Sequence, residues 1–284
     1  MSQNDMHEAN RISWNAATKQ HNSHKGDQAA FLRDGGNTLF PEETELLGDI
    51  KGKQLVHLQC NAGQDTLSIA SHLDADVTGV DISDEAIDFA QKLSLDSGIP
   101  GKFTRADVYD WFANNKIQYD VVFASYGALG WLSDLKTWAR GVAAALKPGG
   151  RFVIVEFHPL TTMLELDWTM AYDYMGGAMD EFDEGVGDYV GESGGGLTHT
   201  GETVEHTASF KNPNKVYEFA WGLADVTSSL LDAGLQLTKF REYPYSNGWK
   251  QFPDMKELPN RRMIAPEGKP VLPFMYGIVA QKPG

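Results

Sequence analysis

Apolar and polar positions change period along this chain in a regular order. Residues 53–59 ("KQLVHLQ") and 76–81 ("DVTGVD") are short apolar runs bounded by turn residues, which predicts strands. Between them, residues 64–73 predict a helix. The stretch "SDEAIDFAQKLSLDSG" predicts another helix, with Ser83 as its cap and Gly98 as its end. A third strand "KFTRAD", a helix "VYDWFANN", a fourth strand "YDVVFAS", a helix "LKTWARGVAAALKPGG" and a fifth strand "RFVIVEFH" follow. Strands alternating with helices at this spacing pair in parallel through right-handed crossovers, which gives an open, doubly wound α/β sheet.

The flanks are less regular. A helix is expected around "NDMHEANRISWNAATKQHNSHK", then a loop containing "RDGGNTLFP", then a short helix over 41–49 opened by Pro41 and its glutamates. From Pro159 to about Phe219 the chain is irregular and rich in Gly, Tyr and Met, although "THTGETVEHTASF" and "NKVYEFAW" could form two antiparallel strands. Helix 222–233 resumes the pattern and leads to a strand "LQLTKFREY", a Pro-rich loop and a last strand "PFMYGIVAQK". The expected division is an N-terminal helical cap (1–40), a core made of 41–158 with 222–284, and an inserted lid (159–221).

Charge sharpens this division. Lys and Arg against Asp and Glu number 14 and 20 over residues 1–151, none and 12 over 152–210, and 10 and 7 over 211–284, so the middle segment holds −12 of the net −15. A surface of that sign repels phosphate backbones and argues against a nucleic-acid partner. The single cysteine, Cys60, excludes an internal disulfide framework and a multi-cysteine metal site, and no uncharged apolar run has the length of a membrane span. The expectation is a cytoplasmic protein, monomer or homodimer, with no metal and no membrane partner.

The chemistry centres on "LVHLQCNAGQDT", residues 55–66, which passes from strand to helix through a loop whose one glycine is Gly63. A dinucleotide fingerprint needs G-x-G-x-x-G, so that backbone amides can approach a pyrophosphate. Registers begun at Gln59 or at Asn61 both fail. The loop, together with Asp81 and Asp107 after the second and third strands and the final strand pair, resembles the class I S-adenosylmethionine-dependent methyltransferases over residues 41–158 and 222–282. The segments "LQCNAGQDT", "GVDISDEAI", "SYGALGWL" and "LKPGGRFVIVEFHP" are similar to a bacterial group of methyltransferases with no assigned substrate. The resemblance implies a Rossmann-like, seven-stranded, mostly parallel sheet with the last strand antiparallel, a lid inserted after strand 5, and S-adenosylmethionine as cofactor. That cofactor carries no phosphate, which suits a loop with one glycine. Two other possibilities stand beside a methyltransferase acting on O, N or S of a small molecule. One is a non-catalytic protein that binds S-adenosylmethionine or S-adenosylhomocysteine; the other, which the loop disfavours, is a nicotinamide-dependent oxidoreductase.

Residue by residue, the resemblance implies cofactor contacts from Gln59, Asn61, Gly63, Asp65, Asp81, Ile82, Asp107, Val108 and Ser125. Asp81 would accept from the ribose hydroxyls and Asp107 from the adenine amine; the plainer role for each is to cap the helix that follows. The family usually has an acid at His57 and a glycine at Gln59, so Asp65 could supply the missing carboxylate, or serve only the helix N-terminus. His57 itself fits a buried, satisfied histidine. Tyr126 and His158, at the carboxyl ends of strands 4 and 5, are the catalytic candidates, His158 as a base near neutral pH or merely as a cap before Pro159. Glu156, His199 and His206 are weaker ones. Trp14, Trp131, Tyr172 and Tyr174 are candidates for the substrate wall, since aromatic faces favour a sulfonium or ammonium. The acids of the lid either select a neutral or cationic substrate or form a solvated face.

Overall fold

The computed structural model describes residues 2–198 and 210–284. Helix α1 (Gln3–Ser23) starts at a reciprocal cap: Asp5 N donates to Ser2 Oγ (3.2 Å), and Ser2 N donates to Asp5 Oδ2 (2.8 Å). Helices α2 (Gln28–Arg33) and α3 (Pro41–Leu47) precede β1 (Gln54–Leu58). The alternation then runs α4 (Gln64–Leu73), β2 (Asp76–Asp81), α5 (Asp84–Ser97), β3 (Lys102–Arg105), α6 (Val108–Asn114), β4 (Tyr119–Ser125), α7 (Leu135–Ala145) and β5 (Leu146–Phe157). Next come α8 (Pro159–Thr162), β6 (Ala178–Phe182), α9 (Tyr189–Glu192) and β7 (Val216–Ala220). The chain ends with α10 (Leu223–Asp232), β8 (Gln236–Tyr243), β9 (Ser246–Asn247), β10 (Lys256–Leu258), β11 (Arg262–Ile264) and β12 (Met275–Gln281).

Seven strands form one sheet in the order β3-β2-β1-β4-β5-β12-β8, in which β12 alone runs antiparallel to its neighbours. Alternation along β4 shows how the sheet is covered on both faces. Val122 and Ala124 join the cluster with Trp138 of α7 and Leu230 of α10, whereas Val121 and Phe123 join Leu46 and Leu47 of α3 and Ile69 of α4. Two buried faces explain why the central strands read as apolar runs.

The structure departs from the sequence expectations in four places. The stretch read as a loop before Pro41 holds α2. β5 begins at Leu146, because Leu146 pairs with Tyr119 before the register jumps to Val121↔Arg151 across "KPGG". The Pro-rich region builds a three-stranded sheet in the order β10-β11-β9. Finally, "NKVYEFAW" does contain a strand, β7, but its partner is β6, paired antiparallel through Asp180↔Glu218. Most of the other expected strand, with His199 and His206, lies outside the described residues.

Candidate active site

A cavity of about 930 Å³ opens along the carboxyl edge of the sheet, where the ends of β1, β2 and β4 meet α1 on one side and the β6–β7 hairpin on another. Open α/β sheets hold ligands on this edge, and the volume suits a cofactor with a small molecule beside it. The backbone here is unusual. Gln59, Asn61 and Tyr126 all line the cavity with left-handed φ values of 53°, 48° and 36°. Non-glycine residues in that region are uncommon and gather at functional sites.

Those conformations belong to a loop whose amides are already used. Cys60 N donates to Val80 O (3.0 Å), Asn61 N to Asp81 Oδ2 (2.8 Å), Ala62 N to Asn61 Oδ1 (2.7 Å) and Gly63 N to Cys60 O (3.1 Å). These four amides are therefore closed to a phosphate. Gly63, expected to bring the backbone close to a ligand, does not line the cavity. A Cβ there would lie 2.7 Å from Ala90 Cβ and 2.8 Å from the Phe103 ring, at a φ of +77°. Packing of the loop against α5 and β3 requires this glycine.

Asp81, Ile82, Asp107 and Val108 all line the cavity. Asp81 accepts from Asn61 N and Ser83 N (2.9 Å) through different oxygens, so each keeps a lone pair for a ligand. Burial pushes its pKa up to about 6, against the pull of those amides. Burial would raise Asp107 as well, but His7, with Nδ1 2.6 Å from Oδ2, together with the amides of Tyr109 and Asp110, outweighs it and holds this carboxyl below the usual range. His7 also contacts Ser133 Oγ (2.7 Å) and stacks on Tyr109, with ring centroids 5.4 Å apart. Nothing in the sequence pattern pointed to His7, which sits on a helix 100 residues before its partner.

Other expected residues divide into those the fold brings together and those it does not. Ser125 lines the cavity, and its Oγ lies 3.3 Å from Nε2 of His57, whose Nδ1 meets Thr66 Oγ1 at 2.9 Å; burial pushes His57 down to about 3, so it is neutral and satisfied. Gln59 Nε2 donates to Ala128 O (2.7 Å) and ties the first loop to the one after β4. Asp65 lines the cavity and accepts from Thr38 Oγ1 (2.5 Å). Tyr126 lies 6.1 Å edge-on from Phe40 and 5.5 Å from Phe157, which in turn lies 4.4 Å from Trp249. Trp14 and Trp131, edge to face at 5.4 Å, and Tyr172 line the cavity too.

His158 and Tyr174 do not line it. His158 Nδ1 accepts from Leu160 N (3.1 Å), which caps α8, and Nε2 faces Glu242 Oε1 at 3.0 Å. Burial lowers its pKa and Glu242 opposes this. Tyr174 packs on Gly222, and its hydroxyl accepts from Leu223 N (3.3 Å). Glu156 lines the cavity but spends its carboxylate on the amides of Gly127, Ala128 (2.7 Å), Leu129 (3.1 Å) and Phe157 (2.7 Å), which anchors the loop after β4. Trp249 and the pair Asp180 and Glu218 were missed, because an irregular segment gives no period from which to assign a face. Among the described residues no group of three or more His, Cys, Asp or Glu could hold a metal ion, and no helix is long and apolar enough to cross a membrane.

Residues 56–152 match the model of a methyltransferase domain. The ubiquinone biosynthesis O-methyltransferase of Bordetella avium (strain 197N) is 29% identical over 106 residues, covering 37% of this chain and 43% of that protein. The chain thus matches less than half the length of this curated relative. An S-adenosylmethionine-dependent methyltransferase structure from Mesorhizobium loti superposes with a TM-score of 0.54 at 19% identity, covering 87% of this chain and 99% of the other. One from Clostridium acetobutylicum gives 0.53 at 12% identity, with 92% of each chain covered. The fold is that of class I S-adenosylmethionine-dependent methyltransferases.

Proposed function

We propose that this chain, a class I S-adenosylmethionine-dependent methyltransferase by fold, methylates a small molecule bound between the sheet edge and the β6–β7 hairpin. One observation carries the proposal: a single cavity joins the carboxylates at the end of β2 and after β3 to an aromatic chamber beyond β4. The donor set fits the cofactor, with ribose and amine acceptors in Asp81 and Asp107, and the amides of Cys60, Asn61, Ala62 and Gly63 are bonded within the protein. When bound, S-adenosylmethionine supplies a methyl group activated by its sulfonium. Asp81 and Asp107 would hold its adenosine, His7 keeping Asp107 ionised. Tyr126, Phe157, Trp14 and Trp131 would exclude water and present aromatic faces to a cation.

The acceptor side supports a neutral or cationic substrate. Among the described residues nine acidic side chains line the cavity, against Lys25 alone of the lysines and arginines. Asp180 and Glu218 stand directly opposite each other on the hairpin, an unfavourable pairing that a cationic ligand or a shared proton relieves. The cavity leaves Glu218 open to solvent, yet the protein around it and the charge of Asp180 push its pKa up to about 7, where it can take a proton from an arriving ammonium or hydroxyl. The test is formation of S-adenosylhomocysteine from S-adenosylmethionine with panels of amines, phenols, thiols and carboxylates of matched size. Turnover with amines or uncharged acceptors is expected, and a preference for polyanions would overturn the electrostatic part. Tight cofactor binding without product from any panel or from a metabolite extract would instead favour a non-catalytic binding protein.

A further inference from the structure

Lys25 follows α1 and is 9% exposed, yet its ammonium makes no hydrogen bond or ion pair among the described residues. It lines the cavity beside Asp65, in the first turn of α4, and the two interact electrostatically without forming an ion pair. A buried cation with no partner is costly unless something else neutralises it. Burial does push Lys25 down to about 8, which leaves it charged at neutral pH. Asp65 has its place fixed by Thr38, whose hydroxyl donates to Oδ1 while Thr38 N donates to Ser68 Oγ (3.1 Å). One end of the cavity therefore offers a cation and an anion held apart, at the N-terminus of a ten-residue helix.

We infer that Lys25 and Asp65 form a clamp for a zwitterion, Lys25 receiving the carboxylate and Asp65 the ammonium of the cofactor's amino-acid end. This rests on the S-adenosylmethionine reading above and names residues for the end of the ligand that Asp81 and Asp107 do not reach. The chemistry is specific: an α-amino acid carries both charges on neighbouring atoms, whereas the acceptors considered above need no carboxylate. The clamp also accounts for a buried lysine that no other group among the described residues satisfies. Because Lys25 sits just beyond α1, carboxylate recognition would fix the same segment that delivers His7 to Asp107.

Calorimetry with two probes tests this. One is S-adenosylhomocysteine; the other is its decarboxylated analogue, which keeps the adenosine, sulfur and ammonium. The wild-type protein should bind the first about tenfold or more tighter, the scale of one charge-assisted hydrogen bond. In K25M, affinity for S-adenosylhomocysteine should fall to that of the analogue, while affinity for the analogue stays within about twofold of wild type. K25R should recover part of the loss, and K25Q carries the same comparison if K25M does not fold. Equal losses for both ligands, or no loss for either, would overturn the clamp. If the wild-type protein binds neither probe, the cofactor reading itself fails; if it binds both alike, only the clamp does.

Discussion

At the scale of residues, the end of β5 shows how a strand position differs from a side-chain direction. Phe157 lines the cavity, Glu156 ties down the neighbouring loop, and His158 turns to Glu242 on β8 and to the Tyr276 ring, 5.9 Å away. H158A should therefore leave kcat and KM within about twofold of wild type and cost about 1 kcal/mol of stability through the lost cap. Steady-state kinetics and denaturant melts check both parts, and a hundredfold fall in kcat would restore His158 to the chemistry. The sequence placed His158 at the correct edge of the sheet, because it follows the carboxyl end of a parallel strand. It could not choose between Glu242 and the cavity, since Glu242 lies 84 residues away. Asp81 was more legible: it ends a strand just before a capped helix, and it lines the cavity.

Elements differ in the same way. α4 and β2 have the bounds expected from their period, since their apolar faces meet the sheet and set that period. The turn joining β1 to α4 is as strict. G63A should destabilise the fold by about 2 kcal/mol or more, because it combines a left-handed φ with a collision against Ala90 and Phe103, and a lowered midpoint in urea would show it. An unchanged midpoint would mean that the α5 packing yields. α1 was legible as a helix, and Trp14 as a wall of the site, but the rest of its inward face was not. The face it buries carries His7, Asn10, Ser13, Ala17, Thr18 and His21, so a search for apolar periodicity finds the helix without its inward side. Polar residues on a buried face are a departure expected at functional sites.

For the whole molecule, the cavity joins two groups whose pKa values are displaced toward neutrality from opposite sides. Asp81 must be ionised to accept two ribose hydroxyls, so cofactor affinity should fall as pH drops through about 6. Lys25 must be protonated to meet a carboxylate, so affinity should fall as pH rises past about 8. Calorimetry with S-adenosylhomocysteine should give a maximum between these values, with the acid limb absent in D81N and the alkaline limb absent in K25M. The sign for stability is separate. Native Asp81 retains a proton that the unfolded chain releases from about 3.8, so this group alone makes the ligand-free protein less stable as pH rises toward about 6. The doubly wound sheet was legible because it follows from local alternation; the full outline of the cavity was not, because its walls come from both ends of the chain. Asn10 meets the backbone of Tyr217 twice, at 2.9 and 2.8 Å, across 207 positions. At ordinary rates of synthesis α1 therefore waits about 10 to 40 s before β7 exists. A helix with an apolar inner face would spend that time exposed and adhesive. The polar face of α1 stays hydrated while it waits, so the residues that finish the site also keep the nascent chain out of trouble.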